Sequence, residues 1–238
     1  MSLAFLTAAG GASAPAALSP FDAATTADGG VFEVRDGWRI ASGFGHPAAE
    51  EQACEHAVGW ADVSHLGKLE IQVSADAADE LAGLAGGLAL GRAVRDRDAW
   101  WCLLTPVRAL LLCDPGVLAG LRQELEANAA LKVLDVTSQF AALRIGGPLA
   151  RETFARFCAL DLRPERMPVG ACMQGSVART PGVVVRMATD QYVLLTGAAL
   201  AIYLWSVVSD AGGRLGGRPV GVDALSAPSE LEEAGTHA

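Results

Sequence analysis

Asp62, Ser64 and His65 fall within four residues of one another in the stretch GWADVSHLGKLEI, Gly59 to Ile71. These are the residue types of a hydrolytic triad. Such a triad needs the serine oxygen bonded to the imidazole and the carboxylate on the far ring nitrogen. Residues at i, i+2 and i+3 do not reach that geometry by themselves, and no G-x-S-x-G elbow surrounds Ser64. The expectation is that Asp62 and Ser64 bond local backbone where a helix gives way to a strand. A second candidate chemistry is metal binding. His46, His56 and His65 lie near Glu50, Glu51 and Glu55. No H-E-x-x-H or H-x-x-x-H spacing is present, so a solvated helix face is expected and no metal site. The glycine runs SGFGHP and GGRLGGRPVG lack a complete dinucleotide or phosphate-loop pattern and read as connections. Arg144, Arg179 and Arg186 lie in apolar strands, where a lone charge is expensive. Ion pairs within the fold are expected for them, with a carboxylate-bearing ligand or a partner subunit as the other reading.

The elements that must position these residues can be read in order. GGVFEVRDGWRIAS is a hairpin around Asp36-Gly37. Pro47 to Val58 is a helix with proline and glutamates at its start. GKLEIQV alternates like a half-buried strand. SADAADELAGLAG starts a helix capped by Ser74. AWWCLLTPVRALLLC is two strands turning at Thr105-Pro106. DPGVLAGLRQELEAN is a helix with Val117, Leu118, Leu121 and Leu125 on one face. Strands follow at Leu131–Val136 and Phe140–Ile145. GGPLARETFARFCAL is a helix with Leu149, Thr153, Phe154 and Phe157 as its apolar stripe. Three further strands precede a last helix, GAALAIYLWSVVSDAGG, closing on Gly212. This mixture of hairpins and strand–helix–strand units predicts an α+β fold of two ferredoxin-like halves with mixed and antiparallel sheets. The expected divisions are a flexible arm at 1–19, a first half at 20–130, a second half at 131–226 and a flexible tail at 227–238.

Composition narrows the function classes. Of 238 residues, 51% are hydrophobic and 19% charged, enough to bury a sizeable core. The net charge of −9, with lysines only at 68 and 132, argues against a phosphate-backbone binder and hence against nucleic acid. The longest apolar run, Leu81 to Gly91, is too short to span a bilayer and is broken by glycines, so no membrane segment is expected. The N-terminus has no basic residue ahead of its short apolar part and reads as an arm, not a leader. The five cysteines are odd in number and show no C-x-x-C spacing. They are expected to be reduced and mostly buried, in a cytoplasmic protein.

Several segments carry a resemblance. AVGWADVSHLGKLEI is similar to the G-x-x-D-x-S-H-x-G-K segment of glycine-cleavage T-proteins, the tetrahydrofolate-dependent aminomethyltransferases. FAALRIGGPLARETFARF and ALAIYLWSVVSDAGGRLGGRPVGVDAL resemble two later segments of that family. From DAWWCLL onward, and above all in CALDLRPERMPVGACMQ (Cys158 to Gln174), the chain resembles the gamma subunit of heterotetrameric sarcosine oxidase. That subunit shares the T-protein-like folate-binding fold, and the resemblance implies that fold without its C-terminal barrel.

Departures choose between the two resemblances. The N-x-x-G-G-x-x-D-D hairpin that supplies the T-protein's folate-holding aspartate is replaced by GRAVRDRDA, and Asp96 and Asp98 do not fit it. Thr189 stands where the family's pterin-contacting glutamate would be, while Tyr192 keeps the aromatic. ELEEAG, Glu230 to Gly235, replaces R-L-E-A-G. The resemblance therefore implies a non-catalytic gamma-like subunit, with no catalytic residue, in a sarcosine oxidase-type complex. Larger flavoprotein subunits would be its partners and would carry FAD, FMN and NAD; no cofactor would be bound by this chain alone. The alternative is a stand-alone tetrahydrofolate-binding, aminomethyltransferase-like protein, with Leu66 and Tyr192 lining the folate pocket. A weaker third is a regulatory domain binding another flat ligand there. Trp100, Trp101, Tyr203 and Trp205 are either core or interface anchors.

Overall fold

A computed structural model describes residues 16–225. The expectations for most of the N-terminal arm and for the tail lie outside the described residues. The strands are β1 (Ala17–Leu18), β2 (Val31–Arg35), β3 (Trp38–Gly43), β4 (Gly59–Asp62), β5 (Gly67–Gln72), β6 (Ala93–Asp96), β7 (Ala99–Thr105), β8 (Arg108–Cys113), β9 (Lys132–Asp135), β10 (Phe140–Gly146), β11 (Cys172–Val177), β12 (Thr180–Ala188), β13 (Gln191–Gly197) and β14 (Arg218–Pro219). The helices are α1 (Asp22–Ala27), α2 (Pro47–His56), α3 (Ala78–Ala82), α4 (Pro115–Glu126), α5 (Ala150–Phe154) and α6 (Ala201–Gly213).

The strands form a six-stranded sheet in the order β11-β12-β13-β10-β4-β14 and a five-stranded antiparallel sheet in the order β6-β7-β8-β5-β9. A third, three-stranded sheet has the order β1-β3-β2. The fold is α+β, and two of its three sheets are mixed: β1 pairs in parallel with β3 and β14 with β4, while the other ladders are antiparallel.

Side-chain alternation assigns each face of the two large sheets. In the six-stranded sheet, Leu143, Ile145, Val184, Tyr192 and Leu194 point to a core shared with α5 and α6. Their neighbours Ala142, Val183, Val185, Val193 and Leu195 point the other way. There they meet Cys102, Leu104, Leu110 and Leu112 of the five-stranded sheet. The far face of that sheet, with Leu69, Ile71, Trp101 and Leu111, is covered by α3 and α4 through Leu81, Leu121 and Leu125. The order is thus helices, sheet, apolar seam, sheet, helices. Strands covered on both faces lose their polar alternation and read as apolar runs, as VVV, ALLLC and VLL do.

Local chemistry explains the element ends. Asp36 and Gly37 take positive φ in the β2–β3 turn, as a tight hairpin requires. Asp114 caps α4 by accepting from the Gly116 amide at 2.8 Å. Four expectations need correction. Ser74 caps nothing with its side chain, and only a 3-10 turn and the short α3 follow it. The helix from Ala150 ends at Phe154, although Thr153 and Phe154 are buried as foreseen. The last helix runs through Gly212 to Gly213, and the positive φ falls on Gly216. Strand β5 is buried on both sides, not half-buried: the turn at 63–66 and Thr137 enclose Lys68, and Arg108 and Gln72 lie on Glu70.

Candidate functional site

The opening polar stretch occupies the crossing from the six-stranded to the five-stranded sheet. Gly59 to Asp62 is the strand β4, paired with β10, so no helix leads into the turn. Gly67 begins β5. The four intervening residues form a turn, closed by the Leu66 amide donating to the Val63 carbonyl at 3.1 Å. Asp62 accepts from the Ser64 amide at 2.9 Å. The Ser64 hydroxyl accepts from the Ala142 amide at 3.0 Å. Its partner is thus the β10 backbone. As expected, Asp62 bonds local backbone; Ser64 instead reaches the backbone of Ala142, 78 residues away in sequence.

The unforeseen member of the site is Lys68. Its side chain is 0% exposed. The ammonium donates to the Ser64 and Leu66 carbonyls, each at 2.8 Å, and to the Thr137 carbonyl at 3.4 Å. Burial lowers its pKa to about 8, with the Asp62 and Asp135 carboxylates opposing the fall. Burial likewise pushes the Asp62 carboxyl upward, while the Ser19 and Ser64 hydroxyls and the Ser64 amide pull it back. His65 is lowered to about 4, first by burial and then by the Lys68 and Arg144 cations. At neutral pH it is uncharged. The cluster ties together the three segments around residues 64, 137 and 142. Strand alternation hid Lys68, because it placed residue 68 on a face that sequence alone could not know was covered.

Among the described residues, none of Arg144, Arg179 and Arg186 forms the expected ion pair. Arg144 donates to the Leu225 carbonyl at 2.8 Å, and its Nε has no partner among the described residues. Arg186 is buried and donates to the carbonyls of Met167 at 2.7 Å and Thr189 at 3.1 Å. Backbone carbonyls replace carboxylates at both places. Arg179 sits exposed in the β11–β12 turn.

Leu66 and Tyr192 are not brought together. Leu66 packs partly buried against the seam cluster. Tyr192 is 1% exposed on the helix side of the six-stranded sheet. Its ring meets Phe154 edge-on at 5.3 Å, and the Arg186 guanidinium lies 5.7 Å from its centre. Of the four large aromatics in question, Trp101 and Trp205 are core and Trp100 is half-buried; Tyr203 is exposed at 47%.

A second buried anchor went unread in the sequence. The Glu50 carboxylate of α2 accepts from the amides of Phe44 and Gly221 at 2.8 Å each. It lines a cavity of about 610 Å³ with Cys54 and Glu55, and burial raises the Cys54 thiol to about 11. Among the described residues no three His, Cys, Asp or Glu side chains converge as a metal site. No described helix is long and apolar enough to cross a membrane.

This layered architecture is the T-protein-like fold. The glycine-cleavage aminomethyltransferase T of Bartonella henselae superposes with a TM-score of 0.71 at 16% identity, over 87% of this chain and 60% of that one. A chain of the heterotetrameric sarcosine oxidase from Corynebacterium sp. U-96 superposes with a TM-score of 0.58 at 24% identity, over 72% of this chain and 93% of that one. In sequence, an aminomethyltransferase of Saccharopolyspora erythraea is 27% identical over 216 residues. That match covers 82% of this chain, which spans only 58% of the relative's length. Residues 111–230 match the model of the GCVT N-terminal domain, and the chain belongs to that family.

Proposed function

We propose that this chain is a non-catalytic, gamma-like subunit of a heteromeric flavin-dependent amine oxidase or dehydrogenase acting on sarcosine or a similar N-methyl amine. It would work in the cytoplasm, with FAD, FMN and NAD carried by larger partner subunits. The observation that carries the reading is the state of the positions a folate pocket would use. Tyr192 is enclosed by Phe154 and Arg186, and Leu66 faces the other side of the sheet. Thr189 replaces a carboxylate, and its carbonyl is already occupied by Arg186. A pterin would find its polar edges unpaired there, which is costly in a buried site. These residues do not fit tetrahydrofolate, and no transfer step follows from them. Ile202 and Tyr203, both exposed on α6, suit a partner contact, since tyrosine is enriched at interfaces.

Calorimetric titration of the full chain with tetrahydrofolate tests the reading. No saturable binding is expected. Stoichiometric binding that a Tyr192 substitution weakens would favour the stand-alone folate protein instead.

A further inference from the structure

A cavity of about 520 Å³ opens off the seam between the two large sheets, within the size range of small-molecule sites. Its floor is apolar, from Leu104, Phe140 and Leu195; its rim carries Arg108, Arg179 and Gln174. Arg108 binds Glu70 through Nε at 3.2 Å and one terminal nitrogen at 2.6 Å, leaving its other terminal nitrogen without a partner among the described residues. The Gln174 amide nitrogen donates to the Leu104 carbonyl at 2.7 Å, and its oxygen has no partner among the described residues.

Arg179 is the unexplained member. It and Ala178 form the β11–β12 turn with φ of +61° and +49°, a conformation costly for residues other than glycine or asparagine. Ala178 is compensated: it is buried, and its amide donates to the Phe157 carbonyl at 2.7 Å. The β6–β7 turn offers a comparison. There Arg97 is also left-handed, but it pairs with Asp96 and Glu124 and lies over Trp101. Arg179 makes no hydrogen bond or ion pair among the described residues and stands at the mouth of the cavity.

We propose that this cavity is a binding site for a small carboxylic acid with an aromatic or apolar body. The body would lie on Phe140 and its neighbours, and the carboxylate between Arg179 and Arg108. Guanidinium forks match a carboxylate in two-point geometry; the Arg179 cation attracts an anion despite the net negative chain, and Arg108, its charge offset by Glu70, adds a hydrogen-bond donor. The proposal is independent of the subunit reading and of any folate site.

The test uses the full chain, phenylacetate and its neutral amide, phenylacetamide, in low-salt calorimetry. Phenylacetate is expected to saturate one site, with the amide at least tenfold weaker. Arg179→Gln should weaken phenylacetate at least tenfold with no change in the unfolding midpoint. Ser176→Trp, on the exposed rim, should block the cavity. The absence of saturable binding, equal affinity for acid and amide, or wild-type binding by both variants would each overturn the proposal.

Discussion

Replacing Lys68 by methionine keeps the length of the side chain and removes its charge. The change strips the donor from the Ser64, Leu66 and Thr137 carbonyls and leaves the buried Asp62 without its nearest cation. Removing one member of a buried polar set costs about 3 kcal/mol or more, since the remaining members stay desolvated. Lys68→Met is therefore expected to unfold about 3 kcal/mol more easily at pH 7. The pH dependence adds a second signature. The folded pKa of Lys68 is about 8, below its ordinary 10.5. Between those values the unfolded chain holds the extra proton, so this lysine's contribution to stability grows with pH. The contribution increases by about 1 kcal/mol between pH 8 and 9. Burial raises Cys54 and Cys113, which opposes the trend above about pH 9, but these thiols are common to both proteins and cancel in the difference. Urea titrations of both proteins at pH 7, 8 and 9 measure it. A variant as stable as the parent at pH 7, or a deficit that does not widen from pH 8 to 9, would refute the caged-cation account.

Glu50→Gln turns one acceptor into a donor facing the Phe44 or Gly221 amide; a loss of about 2 kcal/mol is expected in denaturant titration. Arg186→Met strands the Met167 and Thr189 carbonyls and should cost about 2 kcal/mol, read by the same method, without altering secondary structure by circular dichroism. Trp205→Phe keeps the contacts with Phe21 and Phe44 but loses the indole bond to Asp28 at 2.7 Å, so about 1 kcal/mol should go, with a smaller drop in melting temperature than for Arg186→Met.

What was legible in the sequence was local. Asp36-Gly37, Thr105-Pro106 and Asp114-Pro115 each impose backbone geometry on their own, and the structure turns or starts a helix at each. The runs VVV and ALLLC read as strands, and the structure buries them on both sides. What lay hidden depends on contacts between residues distant in sequence. Lys68 and Glu70 look solvent-facing until Thr137 and Arg108, distant in sequence, close over them. The partners of Arg144 and Arg186 are carbonyls, which carry no sequence signature. The parallel pairing of β1 with β3 and of β14 with β4 rests on two-residue strands too short to show a period. Leu66 and Tyr192 were linked by resemblance, while the six-stranded sheet separates them.

Purification of the tagged full chain from its native host tests the subunit reading most directly. The account predicts a yellow complex with larger flavoprotein chains, whose flavin absorbance bleaches on adding sarcosine or a related N-methyl amine. A colourless protein that elutes alone and binds tetrahydrofolate would contradict it.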